Sequence, residues 1–252
     1  MTKLSVNVNK VATLRNTRPH IGIPSVVHAA RLCLDAGAHG ITIHPRPDRR
    51  HIKPDDAHQI AELLKSYPHA EFNIEGNPFI DFLPIIEEVR PTQATLVPDE
   101  TDAFTSNQGW DVEREGNRLL PMVRKLKSLG CRVSLFMDPK PAAMDLAAQL
   151  DIDRIELYTE PYAAAFARGD ADAADAYAAT AKRAIEVGLE VNAGHDLNLH
   201  SLPPFLKAVP QVAEVSIGHA LIADALYLGL PEAVRRYVRA CAGEDVDVPV
   251  TQ

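Results

Sequence analysis

Short runs rich in β-branched residues alternate with segments of helical periodicity along the chain. Apolar residues recur with helical spacing between the runs, as in SVVHAARLCLDAG (25–37) and DDAHQIAELLKSY (55–67). Gly37 and Gly188 end two such segments, where a left-handed helix end is expected. The alternation is typical of successive βαβ units. The predicted strands are LSVNVN (4–9), GITIH (40–44), AEFNIE (70–75), QATLV (93–97), RVSLFMD (132–138), RIELYT (154–159), EVNAGH (190–195) and EVSIGH (214–219).

Eight strand–helix alternations with right-handed crossovers close most simply into a (β/α)8 barrel, a TIM barrel with extra helices. An open doubly wound sheet is the competing architecture, but no G-x-G-x-x-G turn follows any predicted strand. The 252 residues are expected to form a single domain. The acidic stretch after Gly243 is expected to be frayed.

Alternation within the strands separates an apolar face from an unusually polar one. Apolar residues such as Val6 and Ile41 are expected to face the helices. The opposite parity carries Ser5, Asn7, Asn9, Thr42, His44, Asn73, Glu75, Thr95, Ser134, Asp138, Glu156, Tyr158, Asn192 and Ser216. Barrel interiors are usually apolar, so this polar face indicates either a solvent-filled barrel opening or a bound polar ligand. For Ser5, Thr42 and Ser134, a hydrogen-bonded network without catalytic duty is the favoured interpretation.

The last inward residue of each strand is the candidate for chemistry, because barrel enzymes carry their sites at the carboxyl ends of the strands. His44, Glu75 and His195 end the second, third and seventh predicted strands. Two imidazoles and a carboxylate can exchange protons near neutral pH. The same trio could instead bind a divalent metal, but nearby arginines would repel a cation and no H-x-H or H-E-x-x-H pairing occurs. Proton transfer is therefore favoured over a metal site.

Charge is distributed unevenly along the chain. The net charge is -8, yet residues 1–53 carry nine Lys or Arg against two acids, which gives +7 there and -15 in the remainder. The overall charge makes nucleic acid an unexpected partner. A small anionic substrate explains the basic segment, and a chance surface distribution is the alternative. No secretion signal or membrane span is evident, and three scattered cysteines fit the cytoplasm.

Two segments carry residues suited to binding phosphate groups. HPRPDRRHI (44–52) presents Arg46 and His51 beside His44. In IGHALI (217–222), Gly218 and His219 precede a predicted helix whose free N–H groups could receive an anion. Residues 97–112 are long for a loop between a strand and a helix, which indicates either a lid or a mobile surface loop.

Several motifs together resemble the pyridoxine 5′-phosphate synthase family over nearly the whole chain. They are VNVNKVATLRNTR, AGAHGITIHPRPDRRHI, FNIEG, LVPDETDAFTSNQGWDV, RVSLFMD, IELYTEPYA, VNAGHDLN and EVSIGHALI. The resemblance implies a TIM barrel that condenses 1-deoxy-D-xylulose 5-phosphate with 3-amino-1-hydroxyacetone 1-phosphate and releases phosphate and water. It also implies a cytoplasmic homo-octamer that works without metal or organic cofactor.

The resemblance also implies roles for individual residues. The catalytic set would be His44 and Glu75 as bases, His195 as acid and Glu156 as a stabiliser of charge in the transition state. Contacts to the amino-ketone phosphate would come from Asn7, Arg18, Gly218 and His219. Contacts to the deoxyxylulose phosphate would come from Arg46, His51 and Ser106.

Three positions depart from the family pattern. Asn9-Lys10 stands where Asp-His is usual, Asp196 replaces a glycine, and Tyr158-Thr159-Glu160 replaces His-Thr-Gly. We expect Asn9, Lys10 and Asp196 to adjoin the substrates, and we predict that Lys10 and Asp196 form a compensating ion pair. Two other hypotheses stay open: a sugar-phosphate epimerase or aldolase on the same barrel, and a sugar-phosphate sensor that binds without turnover.

Overall fold

The computed structural model describes residues 1–99 and 106–247. Eight parallel strands form a closed barrel in chain order, with the first strand paired to the last. The predicted barrel and all eight predicted strands are confirmed, and strand ends differ from prediction by at most two residues. The strands are β1 (Lys3–Asn7), β2 (Gly40–Ile43), β3 (Glu71–Gly76), β4 (Gln93–Leu96), β5 (Arg132–Met137), β6 (Arg154–Tyr158), β7 (Glu190–Gly194) and β8 (Val212–Ile217).

Helices lie around the barrel, and several begin at residues suited to that position. Ser25 accepts a hydrogen bond from the His28 N–H, and Asp111 accepts one from Arg114, so both cap free helix donors. Gly37 and Gly188 have φ of 103° and 88°, which confirms the predicted left-handed ends. The helices are α1 (Asn9–Asn16), α2 (Val26–Asp35), α3 (Pro54–Leu64), α4 (Leu83–Val89), α5 (Val112–Ser128), α6 (Met144–Ala148), α7 (Glu160–Ala167), α8 (Asp175–Glu186), α9 (Leu202–Ala208), α10 (His219–Leu228) and α11 (Leu230–Cys241), with a 3-10 turn at Pro141–Ala143.

The main apolar core fills the space between the strands and the helices. Its members include Val6, Ile41 and Ile155, which are fully buried and lie on the strand faces that point outward toward the helices. Tyr237 of α11 is also fully buried and donates a hydrogen bond to Asp224 of α10. Because this layer supplies the apolar burial, the barrel interior can carry polar groups.

A hydrogen-bonded network occupies the barrel interior, as expected for Ser5 and Thr42. Their hydroxyl oxygens are 2.7 Å apart, and Thr42 also accepts from the Asn73 amide at 3.4 Å. The Thr95 hydroxyl donates to Asn73 Oδ1 at 2.9 Å. Ser134 differs from the expectation, because its buried hydroxyl has no hydrogen-bond partner within the described ranges.

Charged residues close the amino-terminal end of the barrel. Glu71 pairs with Lys3 at 2.6 Å and with Arg132. Burial acts to raise the pKa of Glu71, but Arg132 and Lys3 outweigh it and lower that pKa to about 2. Glu214 lies buried nearby, and desolvation followed by repulsion from Glu71 raises its pKa to about 7. This end of the barrel therefore holds one firmly ionised carboxyl group and one that titrates near neutrality.

Part of the acidic stretch predicted to fray is joined to α11. Arg239 binds the Glu244 carboxylate at 2.9 Å and the Asp245 carbonyl at 2.8 Å, and Arg236 donates to the Asp247 carbonyl. Residues 248–252, the rest of that stretch, lie outside the described ranges, as do residues 100–105 of the segment interpreted as a lid or a mobile surface loop. Within the described ranges, the helices are too short or too polar to cross a bilayer.

Candidate active site

His44 lies between two carboxylates at the carboxyl ends of the strands. Its Nδ1 atom is 3.5 Å from Glu75 Oε2, and its Nε2 atom is 3.8 Å from Asp99 Oδ2. The side chains come from the ends of β2, β3 and β4, which are adjacent strands. All three residues are buried, with at most 8% of their surface exposed. The imidazole is therefore held where a proton can pass to or from either neighbour.

The backbone of His44 is held by residues at the junction of β1 and α1. Asn9 Oδ1 accepts a hydrogen bond from the His44 N–H at 3.0 Å, and Asn7 Oδ1 accepts one from the Asn9 N–H at 3.0 Å. Asn9 thus has a positioning contact besides any substrate contact. Gly218 lies against Asn7, and a Cβ at position 218 would be 3.2 Å from the Asn7 Cβ. This approach brings the start of α10 beside the end of β1.

The loop after β2 places Arg46 and His51 next to His44. Both are 8% exposed, and Arg15 and Asn16 of α1 donate to the His51 carbonyl. The His51 Nδ1 atom accepts from the Ile52 N–H at 2.9 Å. Burial, followed by the charges of His44, Arg46, Lys10 and Arg50, lowers the pKa of His51 to about 3. His51 is therefore a neutral imidazole with its Nε2 position protonated.

Asp99 is a site residue that the sequence analysis did not identify. Its Oδ2 atom accepts hydrogen bonds from Arg46 Nη2 at 2.5 Å and Ser106 Oγ at 2.7 Å. Arg46 and Ser106, which the family resemblance assigns to the same substrate, are thus joined by one carboxylate oxygen. The sequence signal was Asp99 of LVPDETD, two residues beyond the predicted strand 93–97, but Ser106 was the one residue of the long segment predicted to belong to the site, and that prediction came from the family resemblance.

Glu156 of β6 is an almost completely buried carboxyl group in the barrel interior. Within the described ranges, its Oε2 atom has no hydrogen-bond partner. Burial, with repulsion from Glu75 and Glu214, raises the pKa of Glu156 well above its usual value. The neutral, protonated form is favoured, so Glu156 can donate a hydrogen bond as well as accept one.

His195 occupies a strained turn directly after β7. Its φ is 82° and that of Asp196 is 57°, both in the left-handed region. The Thr159 hydroxyl lies 2.6 Å from the carbonyl oxygens of Gly194 and His195. Phe136 and Tyr158 contact the imidazole edge-on, with centroids 5.0 and 5.7 Å from it. Burial lowers the pKa of His195, and Glu75 and Asp196 act in the opposite direction.

The remaining predicted site residues are not part of this buried set. Lys10, Arg18, Asp196 and His219 are exposed, and within the described ranges no side-chain hydrogen bond or ion pair joins them to the buried set. Lys10 and Asp196 are close enough for their charges to act on His51 and His195, respectively. In the described part of the chain, no three His, Cys, Asp or Glu side chains converge to hold a metal ion.

Comparison with known proteins establishes the family. The model for pyridoxal phosphate biosynthesis protein PdxJ matches residues 4–243. The chain belongs to the PdxJ family. It is therefore an enzyme of vitamin B6 biosynthesis, and pyridoxine 5′-phosphate synthesis is the reaction of its family.

Relatives and solved structures agree with membership of the PdxJ family. Pyridoxine 5′-phosphate synthase of Albidiferax ferrireducens is 54% identical over 96% of this chain and 98% of its own, and that of Porphyromonas gingivalis is 51% identical over 94% and 98%. A phosphoribosyl anthranilate isomerase structure has a TM-score of 0.58 at 13% identity, covering 96% of this chain and 100% of its own. A Mycobacterium tuberculosis tryptophan synthase structure has a TM-score of 0.63 at 12% identity, covering 96% and 92%. These two likenesses concern the fold alone.

One expectation about departures from the PdxJ pattern is wrong. Lys10 and Asp196 form no ion pair in the described structure, and each acts on a different histidine. Lys10 lies in α1, after β1, and Asp196 follows β7, and these two strands are not adjacent in the barrel. The altered Tyr158-Thr159-Glu160 segment has contacts of its own, because the Tyr158 hydroxyl is 3.3 Å from Glu160 Oε2 and Thr159 supports His195.

Proposed function

We propose that this enzyme condenses 1-deoxy-D-xylulose 5-phosphate with 3-amino-1-hydroxyacetone 1-phosphate to form pyridoxine 5′-phosphate, phosphate and water. The observation that carries the proposal is the position of His44 between the buried carboxylates of Glu75 and Asp99. Joining an amine to a ketone, expelling water and closing an aromatic ring require repeated proton transfers. A histidine with carboxylates at both nitrogens is suited to them.

The catalytic roles divide among four residues. His44 and Glu75 are the bases, with the Glu75 carboxylate 3.5 Å from His44 Nδ1. The neutral form of Glu156, favoured by burial, donates a hydrogen bond to an oxygen that becomes negative during the reaction. His195 is the acid. Burial lowers its pKa in the free enzyme, and a bound phosphate dianion would restore its affinity for a proton.

The two phosphorylated substrates are assigned to different sets of residues. Arg46, His51 and Ser106 contact the deoxyxylulose phosphate. Asn7, Arg18, Gly218 and His219 contact the amino-ketone phosphate, whose phosphate lies at the amino end of α10. Asn9, Lys10 and Asp196 are assigned as further substrate contacts. The close approach of Gly218 to Asn7 supports the second grouping.

The enzyme is proposed to be a single-domain cytoplasmic protein that assembles as a homo-octamer. Leu226 and Tyr227 of α10 are 73% and 70% exposed, and Ile21 and Ile23 are also exposed. Exposed apolar side chains of this size are suited to subunit contacts. Light scattering on the purified chain measures the subunit number, and a monomeric mass would contradict the octamer.

The function is tested by incubating the purified chain with both substrates. Pyridoxine phosphate absorbance and released phosphate are expected to appear together. The variant His44→Asn should lose about 10²- to 10⁴-fold in kcat, the range for removal of a general base. His58→Asn alters an exposed histidine paired with Glu88 and serves as the matched control. No product from the wild type contradicts the proposed reaction, and unchanged turnover in His44→Asn removes His44 from the mechanism.

A further inference from the structure

Asp99 is held from two sides at the point where the chain leaves β4. Its backbone carbonyl accepts a hydrogen bond from Asn77 Nδ2 at 2.9 Å, which ties it to the segment after β3. Its side chain accepts from Arg46 and Ser106, and 8% of the residue is exposed. The position of the carboxylate is thus set by two neighbouring strand ends.

One carboxylate oxygen is the meeting point of three groups. Arg46 Nη2, Ser106 Oγ and His44 Nε2 lie 2.5, 2.7 and 3.8 Å from Asp99 Oδ2, respectively. Two of these groups are assigned above to the deoxyxylulose phosphate and the third to proton transfer. The buried Asp99 carboxylate therefore adjoins two residues assigned to substrate binding and one assigned to proton transfer.

We propose that Asp99 is a positioning residue for the deoxyxylulose phosphate subsite. The inference rests on the proposed function and adds a residue to it. The carboxylate orients the Arg46 guanidinium and the Ser106 hydroxyl before the substrate arrives, and it confines the His44 imidazole from the side opposite Glu75.

Pre-orientation matters most for Arg46. An arginine side chain has large rotamer freedom, and fixing it on binding would weaken affinity. A guanidinium has five N–H donors, so it can bind a carboxylate and a second anion together. The Asp99 charge also balances that of Arg46 in a buried place, where an isolated cation would be costly. The hydroxyl of Ser106 is directed by the same oxygen.

The same contacts allow an opposite role, in which the carboxylate competes with the substrate for Arg46 and Ser106. The two roles differ in the sign of one measurement. A positioning carboxylate makes binding tighter, so its neutralisation weakens binding. A competing carboxylate makes binding weaker, so its neutralisation strengthens binding.

The test uses Asp99→Asn, which keeps the shape and removes the charge, and Asp99→Glu, which keeps the charge. Calorimetry measures the Kd of the deoxyxylulose phosphate without turnover, and steady-state assays measure both KM values and kcat. In Asp99→Asn, the Kd and KM of this substrate should rise about tenfold to a hundredfold, as expected when a charge-assisted hydrogen bond is lost. The KM of the amino-ketone phosphate should change less than about twofold. Asp99→Glu should recover part of the affinity.

Asp145→Asn is the matched control, because it removes an aspartate from an exposed pair with Arg183. It should leave both KM values unchanged. Tighter or unaltered binding in Asp99→Asn overturns the proposal, and so do an equal rise of both KM values or a failure to fold. Absence of product from a wild type that still binds the deoxyxylulose phosphate contradicts the proposed reaction alone.

Discussion

Thr159 compensates for backbone strain at His195. Two successive non-glycine residues, His195 and Asp196, have left-handed backbone angles, which cost about 1–3 kcal/mol each. The Thr159 hydroxyl contacts the carbonyl oxygens of Gly194 and His195, both at 2.6 Å, and is buried. Its single hydrogen is therefore shared across the turn that directs the imidazole toward the other site residues.

The variant Thr159→Val should weaken this turn, because it keeps the shape and removes the hydroxyl. The expected loss is about 1–3 kcal/mol of stability, with kcat reduced about tenfold as His195 loses its orientation. Thermal unfolding and steady-state assays measure the two effects. Thr159→Ser keeps the hydroxyl and should resemble the wild type in kcat. Wild-type behaviour of the valine variant would show that the turn needs no side-chain support.

Site residues could be predicted from the sequence where they lie on strands, because side chains there alternate between the two faces of the barrel wall. His44 and Glu75 were identified because they are the last inward residues of their strands, and the structure brings them within 3.5 Å of each other. Asp99 lies beyond β4, where the alternation of side chains has stopped and only tertiary contacts decide its direction. Ser106 was reached through family resemblance alone. Strand parity contains no information about either loop residue.

At the scale of elements, β6 and β7 fit together because one residue lacks a side chain. Gly194 is opposite Tyr158 in the parallel register and lies beside the Glu156 carboxyl group. A Cβ at position 194 would be 2.3 Å from Glu156 Oε1 and 3.3 Å from the Ser216 carbonyl oxygen. The glycine thus provides the space that the buried carboxyl group occupies.

Gly194→Ala should therefore displace Glu156 more than it unfolds the protein. We expect kcat to fall about tenfold to a hundredfold, because a misplaced group near the reacting atoms costs up to about 10²-fold. Gly116→Ala in α5 is the control, since its Cβ would be 3.4 Å from a Leu150 methyl group and alanine favours helix. It should leave kcat unchanged. A crystal structure of Gly194→Ala with Glu156 unmoved would contradict this account.

Helix prediction was less accurate than strand prediction in the Ala-rich segment. The segment DADAADAYAATAKRAIEVG (170–188) has helical spacing, which predicts one helix from about residue 170, but α8 begins at Asp175, and residues before it form turns. Asp170 and Asp172 lie in those turns, and aspartate favours turns and helix starts over helix interiors. Tertiary contacts also set where the strands end, which explains the differences of up to two residues there.

At the scale of the whole molecule, the polar barrel interior makes stability depend on pH through Glu214. Desolvation and the Glu71 charge raise its pKa to about 7, while Arg154, Arg132 and Lys3 act against the shift. The unfolded chain titrates this group near 4.3. The stability associated with neutral Glu214 is therefore fully present below about pH 4.3 and is lost as the pH rises through about 7.

Glu214→Gln keeps a neutral side chain at every pH and should remove this loss. The free energy of unfolding of the variant relative to wild type should increase between about pH 4.3 and 7, by an amount on the order of 3 kcal/mol, and then level off. Urea unfolding at several pH values measures it. Glu113→Gln, a change at an exposed residue, should follow the wild-type profile. Parallel profiles for Glu214→Gln and wild type would contradict the buried, titrating carboxyl group.

Closure of the barrel divides the site residues between its halves. His44, Glu75 and Asp99 belong to the part built on β1–β4, whereas Glu156 and His195 belong to β5–β8. Two complementary fragments cut between β4 and β5 would each be chemically incomplete. Activity would then return only when the fragments reassociate along the β4–β5 and β8–β1 edges, so restored turnover would report docking of the halves.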